Sequence, residues 1–131
     1  MTLPPAVVIH GLDHARTALG PGRAVLLLSG AGAGAYAGAM WWREMIAAAL
    51  GTRREPDALD CADQAGRALE ALTAGCGIVV LRPCPSFESV AARATGALVL
   101  PARPPALDLA QRGAIRHLDA WLRGDSSAAF R

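Results

Sequence analysis

The feature that most constrains this chain is a series of short, unbroken apolar runs separated by stretches with helical periodicity. Residues 6–10 (AVVIH), 24–29 (AVLLLS), 57–61 (DALDC), 77–82 (GIVVLR) and 97–101 (ALVLP) read as strands. Runs rich in Val, Leu and Ile that do not alternate with polar residues belong to strands covered on both faces, as in a parallel sheet. The third run holds a single large apolar residue, Leu59, and therefore suits an edge.

Helices are expected over residues 12–19, 35–50, 63–74, 86–95 and 107–122. In the second, Met40, Trp41, Glu44, Met45 and Ala48 recur at three- and four-residue spacing, and Gly51 supplies a C-cap. Ser86 is placed as an N-cap. The last stretch follows Pro104–Pro105, sets Leu107, Ile115, Leu118 and Leu122 on one side, and stops at Gly124. Strands alternating with helices imply right-handed crossovers. The expected fold is a three-layer α-β-α sandwich on a five-stranded, mostly parallel sheet. Its strand order is flavodoxin-like, 2-1-3-4-5, or Rossmann-like, 3-2-1-4-5. A length of 131 residues fits one domain over residues 1–124, with a frayed tail at 125–131. Ala-Leu-Asp occurs at 58–60 and again at 106–108, and is read as an Asp at each of two helix entrances, where the macrodipole favours an anion.

Composition narrows the function. All 13 basic residues are Arg and there is no Lys, which excludes a Walker-type phosphate loop and Schiff-base chemistry. The arginines are scattered, only Arg53 and Arg54 being adjacent, so a nucleic-acid surface is not expected. Three cysteines without CxxC spacing point to reduced thiols and a cytoplasmic setting. No signal peptide is read at the start, and no stretch reaches the ~20 apolar residues that span a bilayer.

In open parallel sheets ligands sit outside the carboxyl ends of the strands. That rule selects His10, Gly11, Asp13 and His14, then Ser29 to Gly34, then Asp60, Cys61 and Asp63, then Arg82 to Ser86, and finally Arg103. Within them, Gly30, Gly32 and Ala35 match G-x-G-x-x-A, with Gly34 alongside and Asp60 at the next strand end. In a dinucleotide site such a loop gives bare backbone near a pyrophosphate and an acid for the ribose. Tight packing of a helix on the sheet explains the same glycines. His10, Asp13 and His14 form a polar cluster suited to acid–base work, too small by itself for a metal without Asp60 or Cys84. Cys84, before the Ser86 cap and after Arg82, is a candidate nucleophile. It lacks the following Arg of a phosphatase loop. A phospho-receiver is excluded by the missing Lys. Trp41 and Trp42 point about 100° apart on one helix. One of them, beside Met45 and Tyr36, can serve a homodimer contact.

Three readings follow. The first is a small ligand-binding or regulatory module with an anion or nucleotide held by Ser29, Gly30, Gly32, Gly34, Asp60 and Ser86. The second is an enzyme of undefined reaction using His10, Asp13, Asp60 or Cys84. The third is a non-catalytic homo-oligomer joined through the Trp41/Trp42 helix. No cofactor and no metal is read from the residues.

Overall fold

The computed structural model describes residues 2–125, so the tail expected at 125–131 lies outside the described residues except for Asp125. The chain is α/β, with a parallel sheet flanked by helices. Among the described residues there are six strands: β1 (Ala6–Ile9), β2 (Leu26–Ser29), β3 (Asp57–Asp60), β4 (Ile78–Val80), β5 (Leu98–Leu100) and β6 (Ala106–Asp108). Every pairing is parallel and the order is β5-β4-β3-β2-β1-β6. The β3-β2-β1 run and a switch beside β1 are Rossmann-like features. The sheet has six strands rather than five, and β4 and β5 continue beyond β3 instead of crossing to the far side of β1.

That order decides where the helices go. Right-handed crossovers that keep stepping the same way leave all their helices on one face. The steps β1 to β5 carry α1 (Leu12–Leu19), α2 (Ala33–Tyr36), α3 (Ala39–Leu50), α4 (Ala65–Thr73) and α5 (Phe87–Ala92). Their buried residues, among them Ala15, Trp42, Ile46, Ala68 and Val90, join one core with Val7, Ile9, Leu27, Leu59 and Val79. Alternate strand residues form a second core: Ala6, Val8, Leu26, Leu28, Ala58, Ile78 and Val80. No helical residue belongs to it; Leu3, Leu100 and Ala106 pack there instead. The one reversal of direction, β5 to β6, is the helix-free segment 101–105.

This segment also requires the sheet to roll. Leu100 and Ala106 are six Cα steps apart, at most about 21 Å. Five strand spacings across a flat sheet already come to about 24 Å. The segment must in addition return from the carboxyl to the amino end, so the two edges curl toward each other around it. Arg103 lies at the carboxyl end of β3, while Pro104 and Pro105 share a cavity with Ala6 and Leu26 at the amino ends of β1 and β2.

Several expected boundaries change for local reasons. The run at 57–61 is interior, because Ala58 is small enough for the concave face while Leu59 and Cys61 serve the helical core. The helix expected at 35–50 is two helices, parted at Gly38 with φ +87°; Gly51 does follow the second. The helix expected at 107–122 begins instead as β6, since Pro104–Pro105 favour extended backbone before it. Gly113, at φ +79°, then turns the chain into a 3₁₀ turn (Ala114–His117) and α6 (Leu118–Leu122). The Ala-Leu-Asp echo marks two strand ends, not two helix entrances. No described helix is long and apolar enough to cross a membrane.

Candidate functional site

Register places three residues side by side at the carboxyl end of the concave face. Ile9 pairs with Ser29, and Leu28 with Ala58, so His10, Gly30 and Asp60 follow in one row across β1, β2 and β3. Alternation turns all three toward the helix-free side. Gly30 is the gap in the row.

Asp60 is buried and fully engaged. Its Oδ1 accepts the Ala62 N–H at 2.8 Å and its Oδ2 accepts from Arg103 Nη1 at 2.6 Å. Ser29 Oγ accepts the Asp60 N–H at 2.9 Å and donates to the Gly30 carbonyl at 3.0 Å. The buried polar pair, Ser29 and Asp60, thus locks two strand ends and the 101–105 segment together. Each Asp60 carboxylate oxygen thus already accepts one donor.

Beside this lock lies a cavity of about 570 Å³, lined by Ala31, Gly32, Asp60, Ala62, Arg82, Pro83, Pro101, Ala102 and Arg103. It sits at the ends of β2 to β5, where the strand-end rule expects a ligand. Arg82 is exposed and makes no ion pair among the described residues. Arg103 remains partly exposed despite its bond to Asp60.

The glycines of the loop divide by role. Gly32 lines the cavity and, at φ +72°, turns the chain into α2. Gly34 is buried: a Cβ there would come 2.7 Å from Cys61 Sγ and 3.0 Å from the Asp60 carbonyl. It serves close packing of α2 on β3, so the ligand role expected for it is replaced by a structural one. α2 has a single turn, and the Ala33 N–H is already taken by the Gly30 carbonyl. Ser86 stands at the N-cap position of α5 without a side-chain capping bond, and lines no part of the cavity.

On the other side of Gly30 is a recess formed by His10, Gly11, Leu12, Asp13 and His14. His10 Nε2 lies 2.9 Å from Asp108 Oδ1, and the carboxylate makes that nitrogen the donor. The His10 backbone N–H donates to His14 Nδ1 at 3.1 Å, and the rings meet edge-on at 5.6 Å. Asp108 is itself fixed, its Oδ1 also accepting the Ala110 N–H. A Cβ on Gly30 would come 3.0 Å from His10 Nδ1 and Cε1, so the imidazole rests on the bare α-carbon. Asp108 was not among the residues singled out from the sequence, although the repeated Ala-Leu-Asp was its signal: Asp60 and Asp108 each accept a backbone N–H two residues on and hold a basic side chain from another segment.

His10 and Asp13 therefore share one recess, Asp60 lines another, and Cys84 lines neither. The other two thiols are sealed in the core. Burial pushes Cys61 up to about 12 and Cys76 up to about 11, which removes thiolate reactivity at neutral pH. The described residues contain no group of three or more His, Cys, Asp or Glu placed to hold a metal. The chain matches no protein-family model and no curated protein.

Proposed function

We propose that the protein is a binding module for a small anionic ligand held in the cavity at the carboxyl ends of β2 to β5. The observation that supports this most is a pair of arginines, Arg82 and Arg103, lining the same cavity as Ala31 and Gly32. Arg103 is oriented by Asp60, and Arg82 has no carboxylate competing for it among the described residues. A planar guanidinium matches phosphate and carboxylate oxygens two at a time. The lining residues without long side chains leave room for the rest of a ligand. A nucleotide is the larger candidate and inorganic phosphate the smallest; the volume fits the range usual for small-molecule sites.

Thermal-shift and calorimetric titration with inorganic phosphate and ADP test the proposal. A ligand that binds only the folded state raises stability by about 2.7 kcal/mol at a hundred times its Kd, a melting shift of several degrees. Arg82→Ala is expected to remove the shift while keeping the unliganded melting temperature, because Arg82 makes no ion pair to lose. No shift with either probe would overturn the proposal.

A further inference from the structure

In the row of strand ends Gly30 stands between His10, which lines the recess, and Asp60, which lines the cavity. We propose that the anion site extends across Gly30 to His10, whose imidazolium, oriented by Asp108, is its second arm. This rests on the anion-binding reading above and adds to it a pH-dependent contact and a ligand with charge on two groups, a diphosphate being the simplest.

Three observations carry it. The row of strand ends places His10 and Asp60 on either side of Gly30, their backbones each about 5 Å from it by strand spacing, and Asp60 holds Arg103. The imidazole is aimed rather than loose: Asp108 holds Nε2, and the missing side chain of Gly30 seats the Nδ1–Cε1 edge. Asp108 is pinned by Ala110, so it acts as a positioning residue for His10. The arrangement resembles acid-oriented imidazoles generally, in which a carboxylate fixes one nitrogen and stabilises the protonated ring.

The titratable and charged groups around the ring come from each neighbouring element. They are Asp108 on β6, Asp13 and His14 on α1, the Tyr36 hydroxyl of α2 near Gly30, and the Asp60–Arg103 pair beyond it. His14 Nδ1 accepts the His10 backbone N–H, so that nitrogen is already engaged. His10 is the ring that gains from a nearby anion.

Sulfate is a suitable probe because its charge stays fixed across the range where imidazoles titrate. Its Kd is measured by calorimetry at pH 6 and pH 8, at constant ionic strength. The expected result is binding about tenfold tighter at pH 6, the size of one charge-assisted hydrogen bond. His10→Gln and Gly30→Ala are expected to bind sulfate equally at both pH values, the second because its methyl displaces the ring. Asp108→Asn reduces the pH effect, whereas His14→Gln, which still accepts the His10 N–H, retains it. Melting temperatures confirm that each variant is folded. Sulfate binding that depends on Arg82 but is flat with pH, or a pH effect that survives His10→Gln, overturns this inference and leaves the arginine site standing. Absence of sulfate binding at both pH values overturns the two together. Inorganic diphosphate is then expected to bind more tightly than phosphate in wild type and no more tightly in His10→Gln; an unchanged preference in that variant counts against the second arm.

Discussion

Gly30 and Gly34 lie four residues apart, and a methyl group added to each meets different neighbours. At Gly34 it strikes a buried sulfur, a backbone carbonyl and Leu59, none of which is free to move away. Gly34→Ala is expected to destabilise the fold by about 1–3 kcal/mol in urea denaturation, the usual cost of overpacking. At Gly30 the neighbour is the end of a partly exposed imidazole, which can swing aside. The G-x-G-x-x-A spacing contains no hint of this division, because it depends on which face of the sheet each glycine meets. Trp42 and Asp57 show a second case. Trp42 is fully buried and its Nε1 donates to Asp57 at 2.8 Å. Burial raises the Asp57 carboxyl above its ordinary range, against the opposing effects of the Trp42 bond and the Arg43 charge. The folded state therefore holds this proton more tightly than the unfolded one. Stability linked to Asp57 is complete below about pH 4 and falls as pH rises through the raised value. Asp57→Asn keeps an acceptor for Trp42 and lacks the charge. It is expected to raise the melting temperature by about 1–3 °C at pH 7, with the gain shrinking toward pH 3.5.

At the scale of elements, the segment 101–105 is the connection on which β6 depends. It joins the two edge strands of the sheet and is clamped midway by Arg103 on Asp60. Arg103→Ala leaves a buried carboxylate with only the Ala62 N–H. The expected loss is about 2–4 kcal/mol, measured by chemical denaturation. Amide exchange should quicken across β6, whose only strand neighbour is β1. The strands β1, β2, β4 and β5 were legible because their apolar runs are unbroken, whereas β3 rests on Leu59 as its single large apolar residue. β6 was not: three residues, ALD, lie inside a stretch whose later leucines do have helical spacing. Long-range pairing of Leu107 with Val7 decides the matter, and no local pattern reports it.

For the whole molecule, the α/β class and parallel sheet follow from composition of the runs, whereas the rolled shape follows from one connection too short to cross a flat sheet. The site was legible in outline, since the strand-end rule named His10, Gly30, Gly32, Asp60, Arg82 and Arg103. What it could not supply was their grouping, which depends on strand order. Among the described residues, Tyr36, Met40 and Trp41 lie close in sequence and are 75%, 69% and 36% exposed, while Leu98 and Ile115 are exposed elsewhere in the chain. Met45 is buried and Trp42 wholly so. We expect self-association to run through Tyr36, Met40 and Trp41. Light scattering after size exclusion at tens of micromolar should then give a dimer in wild type and a monomer for Met40→Glu; a monomeric wild type refutes it.

β5 and β6 are each three residues long and form the two borders of the sheet. A border that short presents few unpaired amides to a neighbouring molecule, and long flat borders are what seed intermolecular pairing. Lengthening either one by apolar substitution is expected to leave the interior unchanged and to promote precipitation.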